Sequence, residues 1–359
     1  MNAPSPADPS VVQRLRGEVD KLIQRSLKGF EYLTSPAPPI GATPRTEIHR
    51  RGTLSLLHYH ALTDEVYRVP LLFVMATTNK CDIFDLAPGF SLIEFLAKRG
   101  YDVYVMDWNP PGPDENRLRI DDYVLDFIPD CVRRVQQDSG VDDVTVVGYC
   151  MGGVLATIYA ALHAGGPMKN LVGFTVPIDF RQLKVFQAMS DPRHFDVDRL
   201  IDSLGQMPPD LIKSAFNAIR PAGALASQIR LWDNMWNDAY VKSYRMMERF
   251  GTDTLPLAGE YFRQTVKQLV WKNALHEGTL RIGGRPVRLQ NITVPVLSMV
   301  AQHDHIVPAA AAAPLLEQVR STDKQQIVLP GGHVSLVAGP NAVTRMWPAL
   351  DQWLATRST

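Results

Sequence analysis

The chain has 359 residues, and its 37 Lys plus Arg balance 37 Asp plus Glu. A formal charge of zero provides no basic field for a polyanion, which argues against nucleic acid as the main partner. A hydrophobic content of 45% with 21% charged residues excludes a wholly disordered chain. Three cysteines are too few for a disulfide framework and fit a reducing compartment, so we expect a cytoplasmic protein.

The N-terminal region predicts a tail followed by a helix. Met1 to Ser10 contains three prolines and no apolar core, which favours a loose tail over a signal peptide. No stretch approaches the roughly 20 apolar residues that a membrane span needs. From Val11 to Leu33 apolar residues recur at helical spacing, which predicts an amphipathic helix. We interpret it as a packing element, with partner binding as the alternative, and expect residues 35–39 (SPAPP) to form an extended connector.

Short apolar runs and helix-like stretches then alternate along the chain. Continuous apolar runs of this length suit strands that are buried on both faces of a mostly parallel sheet. The runs are Leu71 to Ala76, Val103 to Met106, Val144 to Val147, Leu171 to Val176, Val294 to Val300 and Ile327 to Leu329. Helical stretches between them include Ser91 to Arg99 and Val154 to Leu162. The alternation predicts an α/β doubly wound sheet that binds its ligand at the carboxyl ends of the strands.

The pattern changes between about Phe180 and Asn291, where it is helical and rich in Met and Trp. We expect a helical insertion that caps the sheet, its Met and Trp side chains filling a core. An apolar substrate channel is the alternative. Residues 281–287 (RIGGRPV) predict a hairpin. The expected domains are a tail and helix (1–40), a core (41–179 with 292–359) and a cap (180–291).

The strongest chemical signal is the segment 146–155, VVGYCMGGVL. An apolar strand enters a turn with glycines around a central cysteine, and a helix follows. This is the strand–elbow–helix context of the G-x-S-x-G nucleophile elbow, with Cys150 where that motif has serine. The helix N-terminus favours a thiolate, and the Met151 N–H is expected to point toward a developing oxyanion. In this architecture the turn after the first strong strand supplies the second oxyanion donor, for which Thr78 is the candidate.

An acid and a base follow the nucleophile in the chain order expected of such a site. Asp304 comes directly after the run that ends at Val300. His333 follows the next run, behind Gly331 and Gly332, which allow a tight loop back toward Cys150. Each residue alone has an ordinary structural explanation. The three types in this order, each after its own strand, favour a catalytic set.

Other residues compete for these roles. Cys131 falls in a helix-like stretch and is interpreted as a core residue. Cys81 follows the first strong strand but lacks an elbow, so it is a weaker candidate nucleophile. Asp179 is a competing acid, because it too follows a strand. His303 and His305 flank Asp304, but no Cys, Glu or Asp set at ligand spacing supports a metal, and we predict neither metal nor cofactor.

Several motifs together resemble the polyhydroxyalkanoate synthases over residues 30–354. The elbow GYCMGG is similar to that family's lipase-box variant, in which cysteine replaces serine. The segment 79–86 (NKCDIFDL) resembles its N-K-x-x-I-x-D-L stretch. HDHIVP at 303–308 and PGGH at 330–333 match as well. Residues 283–297 (GGRPVRLQNITVPVL) are similar to the short-subunit members, which have about this length.

The resemblance implies an α/β-hydrolase-like fold and transfer of (R)-3-hydroxyacyl groups from coenzyme A to a growing polyester. Cys150 would accept the acyl group, His333 would act as its general base, and Asp304 would orient His333 or help activate the incoming hydroxyl. It also implies a homodimer, a second, non-identical synthase subunit and a location at the surface of cytoplasmic polymer granules. We expect short-chain acyl groups. Two alternatives stay open, a cysteine hydrolase of a small ester or lactone and an inactive granule-associated protein.

Overall fold

The computed structural model describes residues 9–36, 39–221 and 223–359. Eight strands form the main sheet in the order β1-β2-β4-β3-β5-β6-β11-β12. Their bounds are β1 Thr46–Arg51, β2 Leu54–Tyr59, β3 Leu71–Val74, β4 Val103–Trp108, β5 Val144–Tyr149, β6 Met168–Phe174, β11 Val296–Ala301 and β12 Lys324–Leu329. Two-residue strands form two small pairs, β7 Gln206–Met207 with β8 Leu257–Ala258, and β9 Arg281–Ile282 with β10 Arg285–Pro286.

The helices flank this sheet and fill the insertion between β6 and β11. The α-helices are α1 Pro9–Thr34, α2 Leu92–Ala97, α3 Ile120–Asp122, α4 Ile128–Ser139, α5 Met151–Leu162, α6 Lys184–Met189, α7 Val197–Leu204, α8 Pro209–Ile219, α9 Gly223–Asp233, α10 Asp238–Thr252, α11 Gly259–Gln264, α12 Ala309–Ala312, α13 Pro314–Gln318, α14 His333–Val337 and α15 Trp347–Ala355. Single π-helical turns are Tyr123–Phe127, Thr265–Trp271 and Ala342–Met346. No helix in the described part of the chain is long and apolar enough to cross a membrane.

The central strands are parallel and buried, as their apolar runs predict. β3 lies between β4 and β5, and β6 joins β5 to β11, all with parallel register. Every residue of β3, β4, β5 and β11 is buried. Because parallel strands end at the same edge, the loops after β3, β5, β11 and β12 meet there. The predicted doubly wound α/β sheet is confirmed.

The first two strands, β1 and β2, were not predicted from the sequence. β1 and β2 form an antiparallel hairpin, and β2 continues antiparallel onto β4. β1 reads TEIHRR and is mostly exposed, so it carries no apolar run. β1 lies at the edge of the sheet, where one side of the strand has no neighbouring strand. A polar, solvent-exposed strand is tolerated at this position.

The insertion between β6 and β11 is largely helical, as expected, and the predicted hairpin is confirmed by the pairing of β9 with β10. The Met and Trp side chains do not share one role. Met235 and Met246 are buried, whereas Trp232 and Trp236 are about half exposed. Met207 is buried in the core, as expected, and also borders a cavity beside Cys150. Met189 borders the same cavity but is 38% exposed, so the core-filling interpretation is wrong for Met189.

The N-terminal helix forms as predicted, but its apolar face is not packed. Leu27, Phe30 and Leu33 are 67%, 70% and 81% exposed. Polar contacts hold the helix to the body, including Lys28 with Asp238 at 2.8 Å and Tyr32 with Glu248. The interpretation as a packing element is therefore wrong for this face. Of the predicted tail and connector, residues 1–8 and 37–38 lie outside the described part of the chain.

Candidate active site

Cys150 lies at the turn between β5 and α5. Its backbone has φ +53° and ψ −121°, which is an unfavourable conformation for a residue with a side chain. The turn is fixed at both ends, since the Cys150 N–H donates to Phe174 O at 3.0 Å and the Cys150 carbonyl accepts from Val154 N at 3.1 Å. The strained turn holds the sulfur above the sheet edge, where it stays partly accessible.

The glycine after the elbow is required by close backbone approach. A Cβ on Gly152 would collide with the carbonyl oxygens of Val74 and Met75 at the end of β3. Backbone cannot move aside as a flexible side chain can, so only glycine lets α5 start this close to the sheet. The elbow glycines of the sequence therefore serve the geometry that the motif predicts.

Asp304 and His333 lie together at the same edge. His333 Nδ1 is 2.8 Å from Asp304 Oδ2, and both side chains are buried. The other carboxylate oxygen, Oδ1, accepts from the N–H groups of Ile306 at 2.9 Å and Val307 at 2.8 Å. Because both Asp304 oxygens are occupied, the carboxylate is held rigidly and fixes the orientation of the imidazole.

The charge on His333 depends on Cys150. Burial alone lowers the pKa of His333, but the neighbouring Cys150 and the hydrogen bonds to Cys150 and Asp304 outweigh burial and raise it to about 10. At neutral pH the imidazole is therefore a cation beside the sulfur. A cation next to a thiol is the setting in which cysteine nucleophiles are reactive.

The loop before His333 positions the imidazole. Gly331 has φ +130°, a conformation that L side chains rarely adopt. Ser335 Oγ accepts from the Gly332 N–H at 2.8 Å and so caps the first turn of α14. On the far side, Tyr149 OH donates to the His333 carbonyl at 3.4 Å. Gly331, the Ser335 cap and the hydrogen bond from Tyr149 together hold the His333 ring toward the elbow.

The two predicted oxyanion donors lie beside Cys150. Met151 is the first residue of α5, so its N–H is one of the helix donors without an intrahelical partner. Thr78 and Met151 both border the cavity that contains Cys150. The Thr78 carbonyl accepts from Leu255 N at 2.7 Å, which ties the loop after β3 to the helical insertion. The assignment of Met151 and Thr78 as oxyanion donors stays a prediction.

A cavity of about 220 Å³ opens beside Cys150. Its floor comes from the sheet edge, and its walls come from the helical insertion. The wall side chains are almost all apolar and include Phe180, Phe186, Met189, Met207, Phe216 and Val270. A cavity lined in this way suits an apolar acyl group and disfavours water.

The other two cysteines, Cys81 and Cys131, are buried and do not border this cavity. Burial raises the pKa of Cys81 well above its usual value, and the nearby Asp107 and Asp82 raise it further. Burial likewise raises the pKa of Cys131. Both thiols therefore remain protonated at neutral pH, and neither is placed to compete with Cys150 as nucleophile.

The remaining rivals have other partners. Asp179 accepts hydrogen bonds from Arg181 N, Gln182 and Asn273 at 2.8 to 3.0 Å. These bonds hold the backbone where the insertion begins. It is Asp304 that pairs with His333. His303 and His305 are exposed. Among the described residues, no group of three or more His, Cys, Asp or Glu is arranged to hold a metal ion.

Two polar residues in the cavity were not singled out from the sequence. Thr77 and Tyr261 border it together with Cys150, and their hydroxyls are 3.2 Å apart. Tyr261 belongs to α11, far along the chain from the elbow. No spacing or motif marks it, because its position results from how the insertion folds back over the sheet.

The chain matches two protein families. Residues 81–340 match the family described as "alpha/beta hydrolase fold", and residues 38–96 match "Poly-beta-hydroxybutyrate polymerase (PhaC) N-terminus". Among solved structures, a soluble variant of monoglyceride lipase from Saccharomyces cerevisiae superposes with a TM-score of 0.53 at 15% identity. It covers 91% of this chain and 99% of that one. Alpha/beta hydrolase domain-containing protein 10 from mouse gives a TM-score of 0.51 at 14% identity, covering 87% and 99%. At these identities the likeness supports the fold alone.

Sequence relatives are more specific. A "Poly(3-hydroxyalkanoate) polymerase subunit PhaC" of Allochromatium vinosum is 31% identical over 94% of this chain and 98% of the relative. The protein of the same name from Haloferax mediterranei is 32% identical over 89% of this chain, which spans 65% of that protein's length. The resemblance to the polyhydroxyalkanoate synthases is thus confirmed. The chain belongs to the poly(3-hydroxyalkanoate) polymerase family, a family of polymerising acyltransferases, and carries the α/β hydrolase fold.

Proposed function

We propose that this chain transfers (R)-3-hydroxyacyl groups from coenzyme A thioesters to a growing polyester through an acyl-enzyme on Cys150. The observation that carries the proposal is the position of the buried His333–Asp304 pair, joined at 2.8 Å, beside a cysteine at a strained elbow. Family membership supplies the polymerising reaction. The geometry supports the assignment of the residues that perform it.

The first half-reaction forms the acyl-enzyme. The Cys150 sulfur attacks the thioester carbonyl, and the carbonyl oxygen gains negative charge that the N–H groups of Met151 and Thr78 stabilise. When the carbonyl reforms, coenzyme A leaves as a thiolate and takes the proton from His333. One thioester replaces another, so the step is nearly balanced in energy.

The second half-reaction extends the chain. The 3-hydroxyl of an incoming acyl group gives its proton to the now neutral His333 and attacks the acyl-enzyme carbonyl. An ester forms, the Cys150 thiolate leaves, and the pair of imidazolium and sulfur is restored. Asp304 holds the imidazole in the tautomer and orientation that both proton transfers need, since its carboxylate is fixed by Ile306 N and Val307 N.

The apolar cavity favours transfer over hydrolysis. Water that reached the acyl-enzyme would release a free hydroxy acid. Phe186 and Phe216 pack against each other in the cavity wall, with ring centroids 5.8 Å apart, and their rings offer water no strong hydrogen-bond partner in this part of the wall. A hydroxyl that arrives on an acyl group is therefore favoured over water.

A cysteine hydrolase of a small ester or lactone is the second candidate, because the same three residues and the same fold serve hydrolysis. Incubation of the pure chain with (R)-3-hydroxybutyryl-CoA separates the two. Coenzyme A release with insoluble polyester supports the proposal, whereas soluble 3-hydroxybutyrate supports the hydrolase. No release, even with extract of the source cell, would indicate an inactive protein.

We further propose the substrate range, the assembly and the location of this chain. It acts on short-chain acyl groups, works as a homodimer with a second, non-identical synthase subunit, and sits at the surface of cytoplasmic polymer granules. The exposed apolar side chains of α1 support contact with a partner or an apolar surface. We also propose that residues 41–179 and 292–359 form the catalytic core, with 180–291 as its cap. Light scattering with and without the extract would test the assembly.

A further inference from the structure

Tyr261 places a hydroxyl in the cavity that the acyl group would occupy. It lies on α11, it is 1% exposed, and it borders the cavity together with Cys150 and Thr77. Burial raises the pKa of Tyr261 and Cys150 raises it further, whereas the hydroxyls of Thr77 and Thr265 lower it, with a net increase. The phenol therefore keeps its proton at neutral pH.

The Tyr261 proton is available to a ligand. Thr77 Oγ1 donates to the Tyr261 oxygen at 3.2 Å, so that bond uses the phenol as an acceptor. A phenol has one proton of its own to donate. The Thr265 hydroxyl is close enough to lower the Tyr261 pKa, but among the described residues it forms no hydrogen bond with good geometry to the phenol. Nearby, Thr265 Oγ1 also is buried without a partner. The cavity thus has one polar corner with unused hydrogen-bonding capacity.

A 3-hydroxyacyl group needs such a corner. When its carbonyl carbon is attached to Cys150, its hydroxyl is two carbons away, inside the same cavity. Most of the wall is apolar, and a buried hydroxyl without a partner costs about 1–3 kcal/mol. Thr77, Tyr261 and Cys150 border one cavity, so the Tyr261–Thr77 pair faces the space into which an acyl group on Cys150 would extend.

We propose that the Tyr261 hydroxyl, held by Thr77, binds the 3-oxygen of the acyl group on Cys150 and selects 3-hydroxyacyl over unsubstituted acyl thioesters. Tyr261 is thus a specificity-determining residue. The proposal rests on the function proposed above, since it presupposes an acyl group on Cys150. A site built around a substrate hydroxyl rejects the analogue without it, because its own polar groups are then left unpaired.

The test compares two thioesters in single turnover. With the full chain in excess, the rate of coenzyme A release is measured for (R)-3-hydroxybutyryl-CoA and for butyryl-CoA. Mass spectrometry of the peptide that contains Cys150 verifies acylation. Tyr261→Phe should slow acylation by the hydroxylated thioester about tenfold, roughly the value of one lost hydrogen bond. Acylation by butyryl-CoA should stay unchanged. Thr77→Val should act in the same direction, and Thr77→Ser should restore the wild-type preference.

Tyr123→Phe is the matched control. The Tyr123 ring packs against the Tyr261 ring at 4.8 Å and is buried, but it does not border the cavity. This variant should keep the wild-type preference. An equal loss with both thioesters in Tyr261→Phe, no loss with either, or the same shift in Tyr123→Phe would overturn the proposal.

Failure of the proposed function gives a different result. In that case the wild-type chain leaves Cys150 unmodified by either thioester. If the wild-type chain is acylated on Cys150 but does not distinguish the two thioesters, the function stands and the role of Tyr261 fails.

Discussion

At the scale of single residues, the candidate site combines a cysteine in a strained backbone conformation with a buried histidine that Asp304 holds in place. Cys150, Asp304 and His333 could be predicted from the sequence, since each follows its own strand and parallel strands bring their carboxyl ends together. Tyr261 could not, because its hydroxyl reaches the cavity through packing of a distant helix. Nor could Ser335, whose value as a cap depends on the exact turn at Gly332.

Cys150→Ala should abolish acylation and leave the fold intact, because alanine fits wherever the larger cysteine fits. Coenzyme A release from (R)-3-hydroxybutyryl-CoA measures the effect, and circular dichroism checks the fold. Cys81→Ala is the matched control and should retain activity, since the Cys81 thiol is buried and protonated. Turnover in Cys150→Ala with none in Cys81→Ala would move the nucleophile to Cys81.

His333→Gln should slow acylation by about 10²–10⁴-fold, the usual contribution of a general acid–base group. It should also change how stability depends on pH. The pKa of His333 is raised from 6.5 to about 10 in the folded chain, so folding favours its protonated form. The resulting stabilisation is complete below pH 6.5 and is lost as the pH rises to about 10.

Urea unfolding between pH 6 and pH 10 tests this dependence, a range that spans both His333 pKa values. The free energy of unfolding of the wild type should fall toward that of His333→Gln as the pH rises. A constant difference across the range would show that the imidazole does not titrate as described.

Asp304→Asn should keep the side-chain volume but lose the charge that orients His333. We expect a fall in the acylation rate of about 10²–10⁴-fold with little change in KM, because the carboxylate does not border the cavity. Asp179→Asn is the control and should leave the rate within a few-fold of the wild-type rate, since Asp179 accepts a hydrogen bond from the backbone N–H of Arg181. A larger loss in Asp179→Asn than in Asp304→Asn would reverse the assignment of the acid.

At the scale of elements, the strand–elbow–helix unit of β5 and α5 depends on how closely the helix approaches the sheet. Continuous apolar runs made the parallel strands predictable, whereas β1 was missed because an exposed edge strand needs no apolar run. Helix α1 was predicted from its periodicity, but periodicity cannot tell which element covers the apolar face, and in the structure that face is exposed.

Gly152→Ala should disrupt the elbow. The added methyl would collide with the backbone oxygens of Val74 and Met75, which cannot yield without moving β3. We expect a loss of stability of about 1–3 kcal/mol, as for overpacking, together with loss of activity. Gly251→Ala, whose methyl would face open space, is the control and should be neutral or stabilising by up to about 1 kcal/mol. Differential scanning calorimetry compares them, and an unchanged Tm for Gly152→Ala would contradict the close approach.

At the scale of the whole molecule, the helical insertion lines the cavity that adjoins the candidate site at the edge of the sheet. The sheet edge supplies Cys150, Asp304 and His333, and the helices between β6 and β11 supply the apolar walls. The sequence predicted an insertion here but not which of its side chains face the cavity, since Met and aromatic residues look alike in a core and in a channel.

Met189→Ser should let water into the site. Met189 borders the cavity and is 38% exposed, so a polar group there admits water at little cost in stability. The fraction of acyl groups released as free 3-hydroxybutyrate should rise at the expense of polyester. Leu204→Ser, at a side chain 46% exposed and outside the cavity, should leave the product ratio unchanged. An unchanged ratio in Met189→Ser would show that the cavity wall does not exclude water.

The most direct measurement is the mass of the Cys150 peptide after brief incubation of the chain with (R)-3-hydroxybutyryl-CoA and an acid quench. If Cys150 holds the growing polyester, its peptide carries a series of adducts that increase by one hydroxybutyryl unit at a time, and the Cys81 and Cys131 peptides stay unmodified. A single adduct that never extends would indicate a hydrolase. Adducts on Cys81, or none on Cys150 while polyester accumulates, would contradict the proposed acyl-enzyme.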